Sequence, residues 1–290
     1  MAASGRVEGK VVIVTGAAGG QGAAEVAWLA REGAQVIAAD VVDDAPPYPA
    51  GAGEVVYRRL DVANAEGWRA LIDEASELYG AVHGLVNNAG ITHRARLGDV
   101  TLDDWNRVLG VNVTGALLGI QAVTPVMPRG GSIVNVGSVA ALTAHYTVAY
   151  TTSKWALRGL SRVASMELGP LGIRVNAIHP GYIETPMAAS APPAFLEASI
   201  RVAPLGRSGT PDDVAPLVGF LLSDESTYLS GAEIAVDGGQ SAHGGAKALS
   251  DALRAASSET TDVGAQTNGT LTESQEVHGR HQRQQRRRTE

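Results

Sequence analysis

The chain has 290 residues, 44% of them hydrophobic, and a formal net charge of −7. No run of about 18 consecutive apolar residues occurs, so a soluble globular protein without a membrane span is expected, and the acidic balance weighs against a nucleic-acid-binding core. There is no cysteine, which excludes disulfides, thiolate nucleophiles and cysteine-based zinc sites and makes the cytoplasm the expected compartment.

Apolar, β-branched runs predict strands at about 10–15, 35–40, 54–60, 84–87, 131–137, 173–178 and 232–236. Amphipathic stretches lie between most of them. Strand and helix alternating in this way predict an α/β protein whose parallel sheet is covered on both faces. The N-terminus carries no charged-then-apolar leader, because Val11 to Val14 is too short an apolar run.

The first strand runs into Gly16-Ala17-Ala18-Gly19-Gly20-Gln21-Gly22, and an Ala-rich helix follows. Glycines here let the backbone approach a pyrophosphate, and the helix start offers free N–H groups to an anion. The glycine spacing differs from G-x-G-x-x-G, and a plain strand-helix turn is the competing reading. Asp40 closes the second strand, where a carboxylate would bind the adenosine ribose hydroxyls and repel a 2′-phosphate. Asp40 therefore predicts NAD rather than NADP.

Further along, a single long helix is predicted from Leu102 to about Met127, with Asn112 inside it despite its low helix propensity. The strand Gly131 to Gly137 ends in Ser138, at the sheet edge where open α/β sheets bind ligands. Twelve residues later come Tyr150 and, four positions on, Lys154, two side chains that share a helix face. A cation beside a phenol favours its ionised form, which would make Tyr150 a general acid/base. Before about residue 241 the pattern is that of one domain, assigned to residues 1–245. Residues 246–290 lose the apolar runs and end in the basic stretch Arg280 to Arg288, so they are expected to form a disordered tail, with a weak helix allowed over 246–256. A solvated extension is favoured there over contact with an acidic partner or nucleic acid.

These motifs together resemble the short-chain dehydrogenase/reductase family across nearly all of residues 7–241. The resemblance rests on Thr15 to Gly22, Leu60-Asp61-Val62, Asn87-Asn88-Ala89-Gly90, Val111-Asn112-Val113, Ser138 with Tyr150 and Lys154, Pro180-Gly181, Thr185-Pro186 and Val236-Asp237-Gly238-Gly239. The chain looks closest to bacterial hydroxysteroid and alicyclic alcohol dehydrogenases. It departs from them at Gln21, which stands where an apolar residue is usual, and in a Ser138–Tyr150 interval one residue short. The resemblance implies a Rossmann-type doubly wound parallel sheet of about seven strands, a homotetramer, and catalysis by Asn112, Ser138, Tyr150 and Lys154. Lys154 would hold the phenol pKa down and bind the nicotinamide ribose, and Asn112 would hold a relay water behind it. The cofactor would meet Gly16, Gly20, Gln21, Gly22, Asp40, Asp61, Val62, Asn88, Ala89, Gly90, Tyr150, Lys154, Pro180, Gly181, Ile183 and Thr185.

For the substrate, the expected wall comprises Ser138, Ala140, His145, Tyr146, Tyr150, Tyr182 and Met187, an aromatic and largely apolar set suited to a bulky ring. The loop from about Met187 to Arg201 would set specificity. No cluster of Lys or Arg stands out there, which weighs mildly against an anionic substrate. His93 and His145 read as rim residues, and no metal-ligand spacing is found. The expected activity is the NAD-dependent interconversion of a secondary alcohol and a ketone on a steroid- or terpenoid-like alicyclic compound. The alternatives are a 3-oxoacyl thioester reductase using NADPH and a nucleotide-sensing protein without turnover.

Overall fold

The computed structural model describes residues 5–44 and 46–256. The chain divides into two compact units, one ending at Ala242 and the other beginning at His243. In the first, seven strands form one parallel sheet: β1 Val11–Thr15, β2 Gln35–Asp40, β3 Val55–Arg59, β4 Gly84–Asn87, β5 Ser132–Val136, β6 Arg174–Pro180 and β7 Glu233–Val236. The order is β3-β2-β1-β4-β5-β6-β7. Val12 registers with Val36 on one side and Gly84 on the other, so β1 and β4 flank the point where the strand order reverses. Crevices at the carboxyl edge of such a switch are where α/β sheets bind ligands.

The central strands are apolar at successive positions because both faces are covered. Val12 and Val14 face a cluster with Trp28 and Leu29 of α1 (Gly20–Arg31) and Val218 and Leu221 of α8 (Pro211–Leu222). Ile13, Leu85 and Ile133 face the opposite cluster, with Trp68 and Ile72 of α2 (Ala65–Tyr79) and with Ile120. Leu85 and Ile133 are fully buried, and truncating either to Ala would cost about 2–5 kcal/mol. The two helices on the first face touch closely through a glycine: a Cβ on Gly219 would fall 1.8 Å from the Trp28 ring.

The predicted long helix is broken. It comprises α3 (Leu102–Leu109), a π turn over Gly110–Thr114, α4 (Gly115–Val123) and a 3-10 turn. By length and mean hydropathy Leu102–Val126 could cross a bilayer. Its buried positions, Val108, Asn112, Ala116, Ile120 and Val123, recur at helical spacing on one face, as in a core helix. The π turn carries Asn112, and such turns cluster at functional sites because they re-aim a side chain inside a helix. The helix α5 (Val148–Leu168) presents Tyr150 and Lys154, and the stretch expected as a specificity loop instead holds two short helices, α6 (Pro186–Ala189) and α7 (Pro193–Val202).

The described part of the second unit is helical over residues 246–256. The remainder of the segment expected as a tail, including Arg280 to Arg288, lies outside the described residues.

Candidate active site

Two cavities meet at the carboxyl edge of the sheet. The first, a groove of about 490 Å³, runs from Asp40 and Val41 past Gly16, Gly20 and Gln21 to Asn88, Gly90, Tyr150 and Lys154. Two glycines of the turn that forms its floor admit no larger residue. Gly16 has φ +68°, and a Cβ there would stand 2.8 Å from the Ala89 Cα; a Cβ on Gly22 would stand 2.1 Å from the Gly16 carbonyl oxygen. The loop is held from beside it: Asn88 Nδ2 donates to the carbonyls of Thr15 (2.9 Å) and Gly16 (3.1 Å), and Thr15 Oγ1 accepts from the N–H groups of Asn88 and Ala89. At the other end Asp40 accepts from Ala18 N (2.9 Å) and Val41 N (2.7 Å), which fixes its carboxylate. Gly19 precedes α1 without a side-chain cap and no acid lies in the first turn, so the N–H groups there are available to an anion.

Of the residues expected at the cofactor, Gly16, Gly20, Gln21, Asp40, Asp61, Val62, Asn88, Ala89, Gly90, Tyr150, Lys154 and Thr185 line this groove. Gly22 lies beneath it, where its missing side chain allows the loop to close. Gly181 and Ile183 line the neighbouring pocket instead, and Pro180 is the last, buried residue of β6. Val62 is held by Trp68, whose Nε1 donates to its carbonyl (2.9 Å).

The second cavity, about 300 Å³, opens beside the groove and shares Gln21, Tyr150, Thr185 and Met187 with it. It collects Ser138, Ala140, His145, Tyr146, Tyr150, Tyr182 and Met187, the seven residues expected at the substrate. It also collects Thr92, Arg94 and Phe195, which sequence reasoning missed. Phe195 completes an aromatic wall: its ring meets His145 edge-on at 5.5 Å, Tyr146 at 6.5 Å and Tyr182 at 5.9 Å, while His145 stacks on Tyr146 at 4.6 Å. Arg94 Nη2 donates to the Met187 carbonyl (3.0 Å), joining the segment after β4 to the one after β6. The short Ser138–Tyr150 interval folds as a 3-10 turn, Val139–Ala141, and then the stretch that delivers His145 and Tyr146. His93 is not on the wall; it pairs with Asp104 at 3.4 Å.

Where the cavities join, Ser138 Oγ accepts from Ala140 N (3.1 Å), which leaves its hydroxyl proton free to donate on the side where the Tyr150 phenol lies. Lys154 Nζ donates to the Val136 carbonyl (2.8 Å) and lies 5.7 Å from the centre of the Tyr150 ring. The phenol pKa is raised by burial, an effect opposed by the Ser138 hydrogen bond and by the charge of Arg94. Burial in turn brings Lys154 down to about 8, so its ammonium is retained at neutral pH but loosely.

Asn112 is held by its side chain. Its Oδ1 accepts from Ile91 N (2.8 Å), and its Nδ2 donates to Ile91 O (3.0 Å) and Ser153 Oγ (2.9 Å). Both amide protons are committed, so a water behind Lys154 would be left the second lone pair of Oδ1 or the Asn112 main-chain carbonyl. The side chain clamps the Gly90–Ile91 segment against α5.

A family model described as enoyl-(acyl carrier protein) reductase matches residues 16–241. The chain belongs to the short-chain dehydrogenase/reductase family. It is 44% identical over 243 residues to a 3-alpha-(or 20-beta)-hydroxysteroid dehydrogenase of Mycobacterium tuberculosis, covering 81% of this chain and 91% of that one. It is 39% identical over 252 residues to a trans-4-hydroxycyclohexanecarboxylate dehydrogenase of Sinomonas cyclohexanicum, covering 82% and 95%. Among solved structures, a levodione reductase superposes with a TM-score of 0.75 at 31% identity over 82% of this chain and 99% of that one. Like other short-chain dehydrogenases/reductases, the protein is an oxidoreductase built on a nicotinamide-dinucleotide fold. The groove fits such a cofactor: a cradle in which Gly16 and Gly22 have no room for a Cβ, a helix start open to phosphates and a fixed carboxylate at the far end.

Proposed function

We propose that the protein interconverts a secondary alcohol and a ketone on an alicyclic substrate with NAD(H), using Tyr150 as general acid/base. The observation that carries this reading is the position of the Tyr150 phenol, which lines both the dinucleotide groove and the aromatic pocket. There one hydroxyl can reach a substrate oxygen while a cofactor lies beside it. When bound, the nicotinamide supplies or accepts the hydride.

In ketone reduction Tyr150 gives its proton to the carbonyl oxygen as negative charge develops, and Ser138, its hydroxyl proton free, donates a hydrogen bond to the same oxygen. In oxidation the phenol oxygen takes that proton back. Lys154, on the groove side of Tyr150, is placed to hold cofactor hydroxyls with the protons that its bond to Val136 leaves over. The aromatic wall excludes water and orients a ring by stacking and apolar contact. Hydroxysteroid and hydroxycyclohexanecarboxylate dehydrogenases among the relatives support a ring-borne hydroxyl as the reacting group.

NAD rather than NADP is supported by Asp40, whose fixed carboxylate would face a ribose, and by Asp43 and Asp44 just beyond it, with Arg59 engaged by Asp43 at 2.7 Å. Assembly through α5 is supported by Trp155, Val163 and Met166, which remain 45%, 47% and 70% exposed. The test is a panel of cyclic alcohols and ketones assayed with both cofactors. NADH should exceed NADPH by about 10- to 100-fold in kcat/KM, and Asp40→Ser should narrow that gap. A clear NADPH preference in the parent would instead favour the 3-oxoacyl thioester reductase reading, and bound cofactor with no turnover a sensing protein.

A further inference from the structure

The pocket wall is aromatic and apolar except at two places. One is the Ser138–Tyr150 corner. The other is Arg94, half-buried, lining the cavity with no carboxylate paired to it among the described residues. Several arginines meet acids, among them Arg158 and Arg162 on Glu233 and Arg207 on Asp213, and the buried Arg174 is bonded instead to the Leu221 and Ser223 carbonyls and Ser226 Oγ. Among the described residues Arg94 has one carbonyl partner and no acid, so in a chain of net charge −7 it is a pocket cation with donors left for an anion.

Arg94 is also held in place. One nitrogen donates to the Met187 carbonyl (3.0 Å), which ties the guanidinium to the segment that closes over the pocket and leaves its other N–H groups for a partner. Its charge is felt by both Tyr150 and His145, so it acts on the reacting corner and on the aromatic wall. Arg96, two residues on, lies over the outer Tyr146 ring at 5.2 Å and adds a second positive charge on that side. A carboxylate or similar planar anion suits a guanidinium because it accepts two parallel hydrogen bonds.

We propose that the substrate is an alicyclic hydroxy or keto acid, its carboxylate anchored by Arg94 while the ring carbinol or carbonyl carbon lies at Ser138 and Tyr150. This rests on the alcohol–ketone reading above and names the substrate class for the same pocket. Arg94 is here a binding and specificity residue; the proton still moves at Tyr150. The segments flanking Ser138 and Tyr150 and the 187–201 stretch hold no basic cluster. The cation enters from the β4 side instead.

The experiment compares 4-oxocyclohexanecarboxylate with its methyl ester, the same ring differing in one charge, as substrates with NADH. The parent should favour the acid by about 10- to 100-fold in kcat/KM, mainly through KM, and the preference should shrink as ionic strength rises. Arg94→Gln should collapse the acid-to-ester ratio to near one, and Arg94→Lys should retain part of it. Equal turnover of acid and ester by the parent overturns the anchor and leaves the ring-ketone reading standing. An undiminished preference in Arg94→Gln overturns it too. Calorimetric binding of cyclohexanecarboxylate to the NAD-loaded parent, with its carboxamide not bound, would keep the anchor even if no ketone were reduced, and would then remove the redox reading alone. The parent's own acid-to-ester ratio decides the matter if the variants do not fold.

Discussion

The two cavities that share Tyr150 are built in different ways. The dinucleotide groove is a product of the sheet edge: the residues directly following β1, β2 and β4, fixed by bonds from the side chains of Thr15, Asn88 and Asp40 to the main chain. The substrate pocket is assembled from longer segments after β4, β5 and β6, and side chains alone give it its character. Backbone geometry constrains residue type tightly, since Gly16 and Gly22 leave no room for a Cβ, whereas an aromatic wall can be made from many sequences. Cofactor chemistry is thus fixed by a frame, and substrate choice is left to what hangs from it. This difference can be tested at the junction, in the pocket and beneath the groove.

The largest effect should come where the halves meet. Tyr150→Phe removes the proton donor while keeping a ring between the cavities, and turnover should fall by about 10²- to 10⁴-fold with cofactor affinity nearly unchanged. Fluorescence titration with NADH alongside steady-state rates separates the two. If binding and turnover fell together, the cavities would not be independent around this residue. Because the phenol pKa is raised by burial, oxidation in the parent should speed up as pH rises through the alkaline range, and the variant should lose that dependence.

A smaller effect belongs to the pocket alone. Phe195→Ala removes the ring that joins His145, Tyr146 and Tyr182, so KM for a cyclic ketone should rise about tenfold while KM for the cofactor stays put. The same residue shows where sequence reading stops. All seven strands could be located within about two residues, because buried β-branched runs have one stable use in such a sheet. The residues proposed for catalysis and the glycine turn were legible for the same reason: each demands particular residues at particular spacing. Phe195 and Arg94 carry no such signal. They reach the pocket through the fold of α7 and of the segment after β4, which no local spacing encodes. The π turn at Asn112 was hidden because its sequence continues a helical pattern on both sides; only the unfavourable Asn hinted at it.

The smallest effect on turnover, and the sharpest on stability, lies under the groove. Glu25 sits on α1, the helix whose first turn faces the groove, fully buried with neither carboxyl oxygen hydrogen bonded among the described residues. Burial raises its pKa from 4.5 to about 8. The folded chain therefore keeps a proton that the unfolded chain releases above about pH 4.5, and stability falls as pH rises between those values, by up to about 1.4 kcal/mol per pH unit. Glu25→Gln copies the protonated form, so it should match the parent in denaturant melts at about pH 5 and be the more stable of the two at about pH 9. Turnover at pH 7 should change little, since the carboxyl there is already mostly protonated and lines neither cavity. A parent whose stability is flat from pH 5 to 9 would mean that Glu25 is partnered in solution. A variant with weakened NAD binding and unaltered stability would place the residue in the groove, and the frame would then be less separate from the chemistry than the structure makes it.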